Sequence, residues 1–181
     1  MGKLLLASVT LLLSILFVSA AHAQQNTAPP LETIRNFQVV SEQLASAGQI
    51  GYEQIPLLRD EGYDVVVNLA VADEDRNARE GFLVTQSGLT YVHIPVEWEQ
   101  PRLSDVEMFF DVMRANRGRK VFVHCFANMR ASAFVYLYRT LVEDVPEAEA
   151  RATMDEVWDP REQRQWADLI ERVKSAYPEG P

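Results

Sequence analysis

One short stretch of the chain combines residue types that could perform chemistry on an anion. Residues 121–132 read VFVHCFANMRAS, with Cys125 near the centre and Arg130 shortly after it. A cysteine thiolate is a nucleophile, and a guanidinium presents a planar fork of N–H donors that matches phosphate or sulfate. Cys125 is the only cysteine, so it cannot form a disulfide within the chain. We therefore predict a nucleophile beside an oxyanion-binding group.

The hydrophobic pattern around this stretch indicates how the two residues are placed. Residues 121–123 form a short apolar run that is typical of a buried strand, and residues 133–141 follow a helical pattern. Cys125 is then expected at the end of a strand and Arg130 at the start of a helix. The first N–H groups of a helix have no partner inside it, and the helix dipole favours negative charge there. Both effects would stabilise a thiolate and an oxyanion in the same place.

The loop between Cys125 and Arg130 is short and carries no charge. Its four members are Phe126, Ala127, Asn128 and Met129. Asn128 is predicted to adopt a left-handed backbone conformation, which asparagine accepts more readily than most non-glycine residues. The loop can then turn its amides inward. We predict that these four residues and Arg130 form a phosphate-binding site.

The stretch resembles the signature of the cysteine-based phosphatases, the protein tyrosine and dual-specificity phosphatase superfamily. That signature is His-Cys, five residues, Arg and then Ser or Thr, and it is matched by His124, Cys125, Arg130 and Ser132. The spacing differs, because four residues separate the cysteine from the arginine and one more precedes the serine. The bacterial β-lactamase hydrolase-like phosphatases share the four-residue spacing, and residues 46–62 resemble the opening of their domain.

The resemblance implies a role for each matched residue. Cys125 would attack phosphorus and carry the phosphoryl group, which divides the reaction into two steps. Arg130 and the loop amides would hold the phosphoryl oxygens and stabilise the charge of the transition state. His124 and Ser132 would orient the loop. The resemblance implies no metal ion and no other cofactor.

A phosphatase of this type also needs an acid that protonates the leaving oxygen. In the superfamily the acid is usually an aspartate in the loop after the strand that corresponds to residues 91–94. Here that loop offers Glu97 and Glu99. We predict that Glu97 is the acid, with Glu99 as the alternative. If both are only solvated loop charges, Cys125 could still accept a phosphoryl group slowly from a good leaving group.

Two other functions are compatible with the same residues. The four-residue spacing is also that of rhodanese sulfurtransferases, in which the cysteine carries a persulfide. A third interpretation is a phosphate-binding module that has lost its acid. We rank the phosphatase first because a histidine precedes Cys125 and an apolar helix follows Arg130.

The uncharged loop also bears on the substrate. Phosphoinositide and phytate phosphatases of the superfamily tend to carry lysines in or beside this loop. Their absence here favours a monoester with one phosphate, such as phosphotyrosine, on a small molecule or on a protein. The oligomeric state stays open.

Strand and helix patterns alternate along the chain, which predicts an α/β domain with a mainly parallel central sheet flanked by helices, and extra helices at the C-terminal end. Such an arrangement agrees with a dual-specificity-phosphatase-like fold. A helix after residue 103 is predicted to begin at Ser104 as its cap. The predicted strands cover residues 34–40, 44–49, 65–69, 91–94 and 121–124, and the predicted helices cover residues 52–61, 77–87, 104–117, 133–141, 146–157 and 161–177.

The N-terminus has the pattern of a secretory signal peptide. Residues 4–18 form an uncharged apolar run after a positive start, and Ala21-His22-Ala23 supplies a small-residue cleavage site. An uncleaved membrane anchor is less favoured because the run is short for a membrane span. We predict a signal peptide at 1–23, a flexible lead-in at 24–33 and one phosphatase-like domain at 34–181, exported to the periplasm or secreted.

The charge of the chain limits its partners. Loss of residues 1–23 removes one lysine and no acidic residue, so the formal charge goes from −9 to −10. An acidic surface argues against nucleic acid or an anionic membrane as partner. A small anionic substrate or a phosphorylated protein then needs a locally positive site.

The signal-peptide prediction can be tested by mass spectrometry. The exported protein should have an intact mass that corresponds to a start at Gln24, because the cleavage site ends at Ala23. A membrane-bound form that retains residues 1–23 would contradict it.

Overall fold

The structure is a computed structural model, and it describes residues 28–177. The predicted signal peptide and the first residues of the predicted lead-in lie outside the described residues. Within residues 28–177, no helix combines the length and the apolar character that a membrane span requires.

In the part of the chain that the structure describes, five strands form one sheet in the order β1-β2-β5-β3-β4. They are β1 (Gln38–Ser41), β2 (Leu44–Ala47), β3 (Val65–Asn68), β4 (Thr90–His93) and β5 (Val121–His124). β1 pairs with β2 in antiparallel fashion, and all other pairs are parallel. Every residue of β2, β3 and β5 is buried, as expected for strands covered on both faces. The predicted fold class, an α/β domain with a mainly parallel sheet, is confirmed.

Within residues 28–177, six α-helices cover the two faces of the sheet. They are α1 (Ile55–Asp60), α2 (Glu80–Gln86), α3 (Leu103–Ala115), α4 (Met129–Leu141), α5 (Glu147–Asp155) and α6 (Arg164–Ala176). Alternate residues of a strand point to opposite faces, so Val121 and Val123 join the core under α3, α4, α5 and α6. Phe122 points the other way, into a smaller core under α1 and α2. The larger core therefore lies on the face of the sheet that is covered by α3 and by the three helices after Cys125, which are α4, α5 and α6.

The helix starts differ from the sequence prediction by one to four residues, and the largest shift is that of α4, which begins at Met129 rather than at residue 133. The N-cap of α3 is Arg102, whose backbone N–H donates to the carboxylate of Asp105 at 3.2 Å, so the predicted cap at Ser104 is wrong. The side chain of Arg102 also donates to Asp105, at 2.8 Å, and this ion pair fixes the earlier start. α2 begins at Glu80 rather than at residue 77. The side-chain oxygen of Asn77 accepts a hydrogen bond from the N–H of Asp73, which holds Asn77 in the preceding loop.

The chain before residue 34 contributes to the core. Leu31, in the short 3-10 helix Leu31–Thr33, is fully buried beside Ile34. The side-chain amide of Gln54 donates to the carbonyl groups of Pro29 and Pro30 at 3.1 and 3.0 Å. The domain therefore begins before the predicted boundary at residue 34.

Neighbouring residues of α3 provide a matched test of the larger core. Phe109 is fully buried, and its ring centroid lies 5.6 Å from that of Phe134. Met108 is 54% exposed. Phe109→Ala should lower the free energy of unfolding by about 3–5 kcal/mol, whereas Met108→Ala should change it by about 0.5 kcal/mol. Urea denaturation of the two variants measures the difference, and equal losses would contradict this packing.

Candidate active site

Cys125 lies at the carboxyl end of β5, the middle strand of the sheet. Its N–H donates to the carbonyl of Ala47 at the end of β2, at 3.3 Å, and the carbonyl of His124 accepts from the N–H of Leu69 after β3, at 2.8 Å. The strand end is thus held from both neighbouring strands. Cys125 is 1% exposed. Ligands of open α/β sheets bind beyond these carboxyl ends, which is where the loop after Cys125 begins.

The loop turns at Asn128, which has a φ of +65° and immediately precedes α4. The predicted left-handed conformation is confirmed. The side-chain amide of Asn128 donates to the carbonyl of Asn36 at 2.7 Å and to the hydroxyl of Ser46 at 3.1 Å. In return, the side-chain amide of Asn36 donates to the carbonyl of Ala127 at 3.0 Å. The turn is therefore tied to the chain just before β1 and to β2.

Arg130 is the second residue of α4 and is 7% exposed. Its Nε donates to the carbonyl of Val96 at 2.9 Å, and its guanidinium carbon lies 5.2 Å from the ring centroid of Trp98. A guanidinium has five N–H groups, so the bond from Nε leaves the four of the terminal nitrogens. The two terminal nitrogens carry these four N–H groups, and each nitrogen can donate to one of two oxygens of the same anion.

Three tryptophans, Trp98, Trp158 and Trp166, form a cluster beside Arg130 that we call the tryptophan cluster. Their ring centroids lie 5.1 to 5.7 Å apart. The indole N–H of Trp166 donates to the carbonyl of Trp98 at 3.1 Å, and that of Trp158 donates to the hydroxyl of Ser132 at 3.2 Å. Ser132 in turn donates to the carbonyl of Met129, at 3.2 Å. Ser132 therefore links the first turn of α4 to the tryptophan cluster.

A second arginine lies at the rim of the loop. The guanidinium carbon of Arg76 is 4.5 Å from the ring centroid of Phe126, and that of Arg130 is 5.9 Å from the same ring. The side chain of Arg76 is 55% exposed, and its Nε lies 3.6 Å from the carboxylate of Asp73. The sequence gives no sign of this role for Arg76, because the other charged residues of its loop, residues 70–76, are acidic.

Beneath the loop, His124 and Glu80 form a fully buried pair. Nε2 of His124 lies 2.8 Å from Oε1 of Glu80, and neither side chain is exposed. The amide of Asn68 donates to Oε1 at 3.1 Å, and the amide of Gln49 donates to Oε2 at 2.6 Å. Burial of Glu80 acts against ionisation, but the charge and hydrogen bond of His124 and the bond from Gln49 outweigh it. They hold the pKa of Glu80 below its ordinary value.

Glu80 is a residue of the site that the hydrophobic pattern of the sequence does not reveal. One signal was available: Glu80 and the core residue Val84 are four positions apart and share one face of α2. An acidic residue in a core position needs partners. Those partners come from β3, from β5 and from the segment after β2, so the pattern of α2 alone could not identify them.

The structure places the two candidate acids differently. Glu97 is exposed and directly follows Val96, whose carbonyl accepts from Arg130. Glu99 is exposed too, but its carboxylate accepts from the side chain of Gln165 on α6, at 3.4 Å. The backbone of Glu97 therefore lies beside Arg130, whereas the carboxylate of Glu99 faces α6. The choice of Glu97 stays a prediction.

A family model described as "DSP-PTPase phosphatase fused to NAD+ Kinase" matches residues 29–168. None of the curated proteins matches the chain significantly.

Among solved structures, a candidate phosphatase of the DUF442 group from Shewanella putrefaciens CN-32 is 39% identical. The alignment covers 82% of this chain and 95% of that chain, with a TM-score of 0.72. TpbA from P. aeruginosa, solved in complex with phosphotyrosine, is 18% identical over 80% of this chain and 91% of TpbA, with a TM-score of 0.60. PTPMT1, solved with PI(5)P, is 13% identical over 77% of this chain and 97% of that chain, with a TM-score of 0.61.

The two more distant structures share the fold. The family model and the DUF442 structure carry more weight, because each matches most of this chain. The chain therefore belongs to the cysteine-based family of dual-specificity and protein tyrosine phosphatases, which are phosphoric monoester hydrolases.

Proposed function

We propose that the protein is an exported phosphatase that hydrolyses phosphate monoesters through a phosphocysteine formed on Cys125. One observation carries this proposal: Cys125 and Arg130 lie at the two ends of a single loop that runs from the carboxyl end of β5 into the N-terminus of α4. The apolar run and cleavage site in residues 1–23 support export.

The reaction has two displacements at phosphorus. In the first, the thiolate of Cys125 forms an S–P bond while the bond from phosphorus to the leaving oxygen breaks, and the leaving oxygen takes a proton from Glu97. In the second, the Glu97 carboxylate takes a proton from water, and the resulting hydroxide oxygen displaces the thiolate. Inorganic phosphate leaves, and both groups return to their starting states.

The loop supplies the electrostatic part of this mechanism. Phosphoryl transfer places negative charge on three equatorial oxygens, and fixed donors around them stabilise the transition state. The amides of residues 126–130 and the terminal nitrogens of Arg130 would provide these donors. Their positions are fixed before substrate binds, because Asn128 is tied to Asn36 and Ser46, and Arg130 is tied to Val96.

The charge around the loop supports a substrate with one phosphate. None of the four side chains between Cys125 and Arg130 is charged, and Arg76 lies at the rim rather than in the loop. TpbA was solved with phosphotyrosine and PTPMT1 with a phosphoinositide. The uncharged loop of this chain favours an aryl monoester such as phosphotyrosine over a substrate that carries several phosphates.

Substitution of the nucleophile and of the arginine tests the mechanism. Cys125→Ser should lower turnover of an aryl phosphate by roughly a thousandfold or more, because a serine hydroxyl stays protonated where a thiol ionises. Arg130→Lys should lower it by on the order of a hundredfold, because a point charge cannot grip two oxygens at once. Arg114→Lys, an exposed substitution on α3, is the matched control and should have wild-type turnover.

The same preparations should be assayed for sulfur transfer from thiosulfate to cyanide. The proposal requires phosphate release that depends on Cys125. Sulfur transfer that depends on Cys125, without such phosphate release, would show that the persulfide chemistry of a sulfurtransferase is the correct alternative.

The acid can be identified by the dependence of the rate on the leaving group. Glu97→Gln should slow an alkyl or phenyl phosphate on the order of a hundredfold, but an aryl phosphate with a strongly acidic leaving group much less, because only a poor leaving group needs a proton in the transition state. Glu99→Gln, two positions away, is the matched control. If only Glu99→Gln shows this selectivity, Glu99 is the acid, and if neither does, the acid lies elsewhere.

A further inference from the structure

A buried carboxylate lies directly beneath the catalytic loop, and the two displacement steps make no use of it. We propose that Glu80 is a positioning residue, which holds the residues on both sides of Cys125 and so fixes the thiolate relative to the bound phosphate. The inference rests on the proposed function, because it concerns the geometry of that reaction.

The first connection runs from Glu80 to the residue before Cys125. Nε2 of His124 lies 2.8 Å from Oε1 of Glu80. Nδ1 of His124 is buried and has no hydrogen-bond partner among residues 28–177. The ring also stacks on Phe122, with centroids 5.7 Å apart. Within the part of the chain that the structure describes, the bond to Glu80 is therefore the one hydrogen bond that sets the orientation of this ring.

The second connection runs to the residue after Cys125. The side chain of Gln49 donates to Oε2 of Glu80 at 2.6 Å, and the backbone N–H of Gln49 donates to the carbonyl of Phe126 at 3.4 Å. Cys125 thus lies between two residues that both connect to the same carboxylate, one through each oxygen. A movement of Glu80 would disturb both flanks of the nucleophile.

The arrangement around Glu80 is itself rigid. Asn68 pairs directly with His124 across β3 and β5, and its side-chain carbonyl accepts from the N–H of Ala70 at 2.8 Å. That bond orients the amide so that its nitrogen faces Oε1 of Glu80, at 3.1 Å. A buried charge is costly unless hydrogen-bonded, and here three N–H donors meet one carboxylate.

The carboxylate also excludes the form of the histidine ring in which only Nδ1 carries a hydrogen. An ionised carboxylate only accepts hydrogen bonds, and the pKa of Glu80 is lowered, so Nε2 of His124 must carry a hydrogen. This is a property of the protein without substrate, and it can be measured without turnover.

Glu80→Gln is the sharpest substitution, because it preserves shape but leaves only one accepting oxygen. His124 and Gln49 each donate to a different oxygen of Glu80, so the NH2 group of a glutamine must face one of these donors. Glu107→Gln, an exposed site on α3 with the same change in charge, is the matched control. Urea denaturation of both variants establishes that they are folded.

Three measurements on the mature protein test the inference. In Glu80→Gln, kcat for an aryl phosphate should fall roughly ten- to a hundredfold, the range expected for a lost hydrogen bond to a buried charge, while KM changes less than about threefold. The rate of alkylation of Cys125 by iodoacetamide should fall in parallel, and this rate is specific because the chain has one cysteine. Glu107→Gln should match the wild type in both.

The third measurement uses the wild type and does not depend on the folding of a variant. The chain has three histidines, and His22 lies in the predicted signal peptide, so only His93 and His124 remain after cleavage. Nitrogen-15 spectra should show a hydrogen on Nε2 of His124.

The outcomes separate this inference from the proposed function. Absence of Cys125-dependent phosphate release in the wild type would overturn the proposed function, and the alkylation rates and nitrogen-15 spectra would still decide the role of Glu80. A folded Glu80→Gln protein with wild-type kcat and alkylation rate would overturn the inference. So would a His124 ring whose Nε2 carries no hydrogen, whether or not the variant folds.

Discussion

The hydrogen bond between Glu80 and His124 is the central interaction among the chain segments that surround Cys125. Both side chains are removed from water, so the carboxylate can exist only where the protein supplies its donors. Those donors come from β3, from β5 and from the segment after β2, which are adjacent in the sheet. Satisfying one buried charge therefore also fixes the relative position of the three chain segments that meet at Cys125.

The loop is held from a second side by the larger core. Arg130 and Ser132 contact the tryptophan cluster, whose members come from the loop before α3, the segment after α5 and α6. The additional C-terminal helices therefore have a role at the site although they contribute none of the predicted reacting groups. Trp166 of α6 packs on Trp98, whose ring faces the guanidinium of Arg130.

The features that could be predicted from the sequence are those that depend on residues close to one another along the chain. The strand β5, the loop with its left-handed Asn128 and the helix after it all lie within about twenty residues, and apolar periodicity and residue type suffice to identify them, although the helix begins four residues before its predicted start. The fold class follows from the alternation of such segments. Cys125 and Arg130 could be predicted as parts of one site for the same reason, because they are close together along the chain.

The features that could not be predicted depend on contacts between distant segments. Glu80 is 44 positions from His124, and Trp166 is 68 positions from the Trp98 carbonyl to which it donates. Burial of Leu31 depends on a pocket formed by elements far along the chain, and a single leucine among prolines has no period to detect. The start of α3 differs from the predicted one because Arg102, with Asp105 three residues later, takes the place of a hydroxyl cap.

The tryptophan cluster gives the molecule a built-in optical reporter. The chain contains three tryptophans, and all of them lie in this one cluster, with the guanidinium of Arg130 against the ring of Trp98. Indole emission depends on nearby charge and on contact with water, so the tryptophan fluorescence of the protein originates beside the loop that follows Cys125. Occupation of the loop by phosphate or vanadate, or detachment of α6, can thus be followed by emission spectroscopy without a label.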